Sequence, residues 1–314
     1  MNKAFFKIKA PVAALIFFAA LALFGGCSGV EQQKEAPPED NVSVVVTLSF
    51  FEDMVQQVAG EKIELTSLVP VGVEPEEYDP QTKDIRAIKN ADVFIYNGLN
   101  MERWLPRIIS DYKERENYYA LAEHPSIKTK PLLSGPFEGE PDPHAWTNVN
   151  YAIVYVEQIS SILSQIDPTN EDFYQEQAES SIKELQELNQ WMEDKVKEVP
   201  EKNRLLITSE LCFQYFAEAY GFEHEAIWPI NAPEEGTPSQ IIRLVEVVKE
   251  KDPPALFVEN QVDHRPMERV SRETGVPIKG VLYSDSLSAP GEGGETYIDM
   301  MKSNARQIVK ALKE

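Results

Sequence analysis

The sequence predicts an α/β protein in two lobes, each a mostly parallel sheet flanked by helices, joined by a single long spine helix. Three observations carry this reading. From residue 42 to 166, β-branched runs alternate with helix-like segments, which implies parallel βαβ units. From Pro168 to about Val199 the chain is rich in Glu, Gln, Leu, Ala and Lys, with no breaker before Pro200. After residue 201 the alternation resumes and runs to the C-terminus. The 314 residues suffice for about two domains. The expected divisions are a leader (1–26), a tether (27–41), an N-terminal lobe (42–166), the spine (167–200) and a C-terminal lobe (201–314).

The elements follow in order. Residues 42–48 are a β-branched strand, and 50–59 a helix stopped by Gly60. A second strand covers 62–71, a short helix 80–90, and a third strand 92–97, closed by Gly98. A helix is expected over 100–112, a weaker fourth strand over 118–121, and a helix over 148–166. Asp167-Pro168 offers a cap and an N1 proline for the spine. There Ile182, Leu185, Leu188, Trp191 and Met192 recur at helical spacing, as packing residues do. A helix of about 30 residues would span ~45 Å. In the second half, strands over 204–208, 225–230, 255–258 and 277–283 alternate with helices over 212–220, 238–251, 265–274 and 296–312. Thr237-Pro238-Ser239-Gln240 combines a capping box with proline at the first helical position.

Residues 1–26 read as a targeting segment, separate from the fold. Lys3, Lys7 and Lys9 give a basic start. The uncharged run over 10–24 is short of the roughly 20 residues that a membrane span needs. Leu23-Phe24-Gly25-Gly26-Cys27 looks like a bacterial lipobox, although Phe24 stands where Leu is usual. The mature chain is thus expected to begin at a lipidated Cys27; an ordinary cleaved signal or an uncleaved anchor is the other reading. Residues 28–41 are polar and contain Pro37-Pro38. They read as a disordered tether, with a reach of about 45–50 Å when extended. The lipid would hold the globular body at the extracytoplasmic face of the cell membrane.

Lys and Arg number 30 against 52 Asp and Glu, a net charge of −22. This excludes nucleic-acid backbones and anionic lipid surfaces as partners. It suits cations, and equally an acidic solubilising surface. Cys27 and Cys212, the two cysteines, form neither a zinc-ligand spacing nor a disulfide framework. There is no HExxH, no nucleophile elbow and no phosphate-binding glycine loop, which argues against a metallohydrolase.

Near the chain's midpoint stands Asp142-Pro143-His144-Ala145-Trp146. Pro143 fixes its own φ and biases Asp142 towards extended backbone, so His144 is presented on a constrained turn at a helix entrance. Three carboxylates share its context. Glu76 lies in the loop beyond the second strand; Glu210 and Asp285 lie at the C-terminal ends of strands. In open α/β sheets, ligands bind beyond the carboxyl ends of strands. Singly, each carboxylate reads as a cap or a solvated loop charge. Two groups from each half, one of them an imidazole, make a metal site in an interlobe cleft the better reading. His124, His224 and His264 read instead as a loop residue, a surface strand start and a cap or packing residue. Cys212 reads as a small buried hydrophobe.

From residue 42 to the C-terminus the chain resembles the metal-binding solute-binding lipoproteins of ABC importers, the manganese, zinc and iron cluster that includes the pneumococcal surface adhesin. The resemblance rests on motifs in order: Glu74-Pro75-Glu76-Glu77-Tyr78-Asp79-Pro80, Tyr96-Asn97-Gly98, Asp142-Pro143-His144-Ala145-Trp146, Thr208-Ser209-Glu210, Glu234-Glu235-Gly236-Thr237-Pro238, Val262-Asp263-His264-Arg265-Pro266-Met267 and Tyr283-Ser284-Asp285-Ser286. It implies two lobes joined by a helix that limits hinge motion. It also implies a metal-ligand set of His144, Glu210 and Asp285, with Glu76 at the position where the family carries a histidine. No enzymatic activity is implied. The implied partners are the importer's permease and, through Cys27, the membrane; a monomer is expected.

Glu76, Glu210 and Asp285 bring a formal −3 to a divalent cation. Oxygen-rich donors favour Mn²⁺ first and Fe²⁺ next, and carboxylates can bind through both oxygens. Zn²⁺ prefers closed tetrahedral sites of nitrogen or sulfur, yet binds tightly by intrinsic affinity. The His-rich loop common in the zinc branch is absent. With reference pKa values near 4, carboxylates are expected to add little pH dependence around neutrality. The alternatives are a zinc-binding component of the same type, or a surface adhesion or interaction lipoprotein with an altered metal site.

Overall fold

The computed structural model describes residues 41–231 and 236–313. The leader, Cys27 and nearly all of the tether lie outside the described residues, as do Glu234 and Glu235 of the motif preceding Thr237. Among the described residues no helix is long and apolar enough to cross a membrane.

The first half begins with β1 (Val42–Val46), α1 (Ser49–Ala59), β2 (Ile63–Ser67), α2 (Thr82–Asn90) and β3 (Val93–Tyr96). It continues with a single turn, α3 (Leu105–Ile108), then β4 (Tyr118–Ala120) and α4 (Val149–Ile166). The four strands form one all-parallel sheet in the order β2-β1-β3-β4. Parallel pairing directs every strand's carboxyl end to the same edge, and the loops carrying Glu76 and His144 leave from that edge.

The helix expected over 100–112 shrinks to α3. Gly98, Leu99 and Asn100 all have positive φ (82°, 52° and 63°), a left-handed turn that no α-helix can begin from. Pro106 then permits a helix only from its own first turn. A Cβ at residue 98 would lie 2.9 Å from the Cβ of Ala120, so the turn needs glycine there. Buried Glu102 closes the turn by accepting from the Thr47 hydroxyl and from the amides of Asn97 and Gly98.

After a 3₁₀ turn at Pro168–Asn170 comes α5 (Glu171–Val196), 26 residues and so about 39 Å long. Asp167 accepts from the Asn170 side chain and the Tyr174 hydroxyl, fixing the start. Tyr174, Ala178, Ser181, Leu185, Leu188, Met192 and Val196 form its buried stripe, the spacing of one helical face. That face packs on α1 and α4 of the first half and on elements of the second half, so the long helix braces both.

The second half holds β5 (Leu205–Glu210), α6 (Gln214–Tyr220), β6 (Glu223–Trp228), α7 (Pro238–Lys251), β7 (Leu256–Glu259), α8 (Arg265–Thr274), β8 (Ile278–Leu282) and α9 (Tyr297–Leu312). The capping box at Thr237 and Gln240 forms as expected. β5 pairs with β6, and β7 with β8, both parallel. β5 also neighbours β7, and part of that junction is made by a side chain: Glu259 accepts from the amides of Ser209 and Glu210.

Candidate metal centre

Glu76, His144, Glu210 and Asp285 meet at one point. Each offers a ligand atom, and the four atoms lie within 4.8 Å of one another. His144 Nε2 stands 3.4 Å from Asp285 Oδ1, 3.6 Å from Glu210 Oε1 and 3.9 Å from Glu76 Oε1. All four residues are buried, none more than 3% exposed. Their convergence follows from two sets of parallel strands whose carboxyl ends face a common seam.

Each side chain has a local reason for its position. The Trp104 indole donates to the Pro75 carbonyl and sets the loop that carries Glu76. Asn97 donates to the Pro143 carbonyl, while Asp142 accepts from the His144 backbone amide. Asp142 Oδ1 lies 2.6 Å from His144 Nδ1, which places a proton on Nδ1 and leaves Nε2 as the free donor. Asp142 is held in turn by the Gln214 amide and the Tyr215 hydroxyl. Glu210 is the last residue of β5, and its Oε1 accepts from the Asn231 amide. Asp285 lies three residues past β8, and its Oδ2 accepts from Gln261.

What remains unpaired defines the chemistry. Glu76 Oε1 and Oε2, His144 Nε2, Glu210 Oε2 and Asp285 Oδ1 are buried without a hydrogen-bond partner. Unpaired buried polar atoms are costly, and five from four neighbouring residues are not packing accidents. Burial raises the Glu76 carboxyl to about 8, with help from the Asp285 charge. Burial, then Asp285 and Glu76, holds Glu210 well above its usual range, and burial likewise raises Asp285. Burial alone would lower His144, but Asp142 and Asp285 outweigh it and raise the imidazole to about 9. The Glu76 carboxyl therefore does titrate near neutrality, against the expectation drawn from reference values. A divalent cation would relieve the repulsion, while protons compete for the same atoms.

The structure thus brings together all four predicted side chains. Three further residues escaped the sequence reading as positioning groups: Asp142, Gln261 and Glu259. Asp142 was visible in its motif, two residues before His144. Glu259 was signalled only by its place at a strand's carboxyl end. The remaining histidines lie elsewhere. His124 accepts from the Ser126 amide, and His264 bonds the Glu259 carbonyl. His224, near the start of β6, is half-buried: its ring pairs with the Thr208 hydroxyl, and burial lowers it to about 3. Cys212 is fully buried, its thiol directed at the Glu210 carbonyl.

Two parallel-sheet halves, a bracing helix and a buried cluster of anionic donors at the seam define a class, the substrate-binding proteins of metal ABC transporters. Within it, the chain belongs to the family described as ZnuA, zinc-uptake complex component A, periplasmic, whose sequence model matches residues 44–311. The manganese-binding lipoprotein MntA of Halalkalibacterium halodurans is 39% identical over 314 residues, the full length of both chains. A metal ABC transporter substrate-binding lipoprotein of Lactococcus lactis is 38% identical, covering 98% of each chain. Among solved structures, the periplasmic zinc-binding protein TroA of Treponema pallidum aligns with a TM-score of 0.80 at 27% identity, covering 87% of this chain and 99% of that one. The manganese-bound periplasmic metal-binding protein of Candidatus Liberibacter asiaticus aligns with a TM-score of 0.77 at 27% identity and the same coverages.

Proposed function

We propose that this chain captures a divalent transition metal in the seam between its halves and delivers it to the permease of an ABC importer, with Glu76, His144, Glu210 and Asp285 as ligands. The convergence of five unpaired, buried donor atoms carries the reading. Four of the five are carboxylate oxygens. That set suits Mn²⁺ first and Fe²⁺ next, and a relative named for manganese binding supports the first choice. The chain binds and releases its cargo unchanged and catalyses nothing.

A zinc-binding role is the second reading. It is favoured by the family's own description and by the zinc-binding TroA. Against it stands Glu76, since zinc prefers nitrogen and sulfur donors in a closed tetrahedron. We further propose that Cys27 is lipidated and that the tether holds a monomeric two-lobed body outside the cell membrane, in line with relatives named lipoproteins.

Elemental analysis of protein purified without added metal tests the reading, together with titration of Mn²⁺, Fe²⁺ and Zn²⁺. One equivalent of metal and a metal-dependent rise in melting temperature are expected. A chain that takes up none of the three would instead favour a surface interaction role with an altered site.

A further inference from the structure

Asp285 belongs to the second half, but its backbone is fastened by the first. Tyr283, two residues earlier, is still held within the second half: its amide and its carbonyl pair with the side chain of Asn304 in α9. Beyond it the partners change. The Ser284 carbonyl accepts from the Trp146 indole at 2.9 Å. Ser286 Oγ accepts from the Gly72 amide at 2.7 Å, and the Leu287 amide donates to Ser49 Oγ at 2.9 Å. Gln261, from the second half, holds side chains instead, Ser284 Oγ and Asp285 Oδ2.

Of these first-half partners, Trp146 also belongs to the turn of another candidate ligand. It follows His144 by two residues, in the 3₁₀ turn Ala145–Thr147. Its ring lies 5.2 Å from the imidazole and 4.7 Å from the Phe50 ring, centre to centre. Its carbonyl accepts from the Tyr297 hydroxyl of α9 at 2.6 Å. The side chain is fully buried, and so is Ser284. Packing beside His144 needs the shape of the ring and not its N–H. The indole has a single donor, and that donor is directed at the carbonyl of the residue immediately before Asp285.

We propose that Trp146 is a positioning residue that sets Asp285 against His144 across the seam, through the bond from its indole N–H to the Ser284 carbonyl. The proposal rests on His144 and Asp285 being ligands. The turn that carries one ligand thereby holds the backbone of the other. That bond helps to fix the 3.4 Å between His144 Nε2 and Asp285 Oδ1. Without the N–H, the Ser284 carbonyl loses its donor in a buried place, which is costly. The segment around Asp285 then keeps only its first-half ties at Ser286 and Leu287.

The test replaces Trp146 in the purified chain with benzothienylalanine, which keeps the bicyclic shape and has sulfur in place of the N–H. Mn²⁺ affinity is measured by titration calorimetry in the wild-type, Glu76→Gln and Asp285→Asn backgrounds. Amide hydrogen exchange at Ser286 and Leu287 is measured without metal. The replacement is expected to cost about tenfold in affinity in the wild-type and Glu76→Gln backgrounds, as loss of an outer-shell partner does. In Asp285→Asn the further loss should stay under about twofold, because effects that act through one group do not add. Exchange at Ser286 and Leu287 should quicken while that of α4 is unchanged. Trp146→Phe, which also lacks the N–H, should repeat the pattern. Wild-type affinity after the replacement overturns the proposal. An equal loss in all three backgrounds also overturns it, since that is the mark of a merely structural tryptophan. Unchanged exchange at Ser286 and Leu287 overturns it even if Asp285→Asn binds too weakly to measure. A wild type that binds no Mn²⁺ overturns the ligand reading beneath, a failure seen in the unmutated chain.

Discussion

Three of the four candidate ligands are fixed, and one is not. In the second half, Glu210 and Asp285 each commit one oxygen to a hydrogen bond and leave the other free. In the first half, His144 is fixed through Nδ1 by Asp142. Glu76 alone has both carboxylate oxygens unpaired, and only its loop backbone is anchored, through Pro75. The fixed ligands each present one atom, which sets geometry in advance. Glu76 can present one oxygen or two, so coordination number is decided there. The residue that stands where the resemblance implies a histidine is thus also the adaptable one.

The largest expected effect comes from removing fixed ligands. His144→Ala and Asp285→Ala should each weaken Mn²⁺ binding beyond the roughly 10–100-fold that outer-shell changes cost, by titration calorimetry. Retained binding in both would mean that the seam is not the site. Asp142→Asn comes next, because an amide facing Nδ1 can favour the tautomer whose Nε2 carries a proton. A loss of about 10–100-fold is expected, while the equivalent effect at Glu76 should be smaller.

The pH response follows from the raised groups. With Glu76 at about 8 and His144 at about 9, the unloaded site holds protons that metal must displace. Affinity should therefore rise with pH between 6 and 8, by about tenfold per pH unit for each proton released. The unloaded fold has the opposite sign. Folded pKa values above the unfolded ones contribute stability that is lost as pH rises through the folded value. Glu259, raised to about 7 by burial, adds to this. The rise in melting temperature on adding Mn²⁺ should accordingly be larger at pH 8 than at pH 6. Equal rises would show that the buried carboxylates are already ionised at pH 6.

Glu76→His sharpens the comparison by replacing the adaptable ligand with a one-atom imidazole. The ratio of zinc to manganese affinity should rise in competition titrations. An unchanged ratio would mean that Glu76 points away from the ion, with Glu77 or water completing a three-ligand site. The smallest effect is expected from Gln261→Ala, which loosens Asp285 without removing it. A loss below about tenfold, at the low end of outer-shell effects, would separate positioning from ligation.

Much of this was legible in the chain. The strand–helix alternation, the capping box at Thr237 and the spine's apolar stripe are local signals, and each is realised in the fold. The four candidate ligands were legible because each stands beyond a strand's carboxyl end, a place that parallel pairing gathers to one edge. The helix expected over 100–112 failed because composition suggested continuity while the backbone at Leu99 and Asn100 takes positive φ. Glu259 and Gln261 were invisible as partners because their roles depend on β7 lying between β5 and β8, and periodicity reports strands without saying which become neighbours. Raised carboxylate pKa values could not be read either, since burial is a property of the assembled seam.

The central claim is that one imidazole and carboxylate oxygens hold the ion. Electron spin-echo envelope modulation of the Mn²⁺-loaded protein tests it by counting the nitrogens bound to manganese. The account predicts the modulation of a single imidazole nitrogen, lost in His144→Ala. No directly bound nitrogen in the wild-type chain, or a signal that survives in His144→Ala, would contradict it.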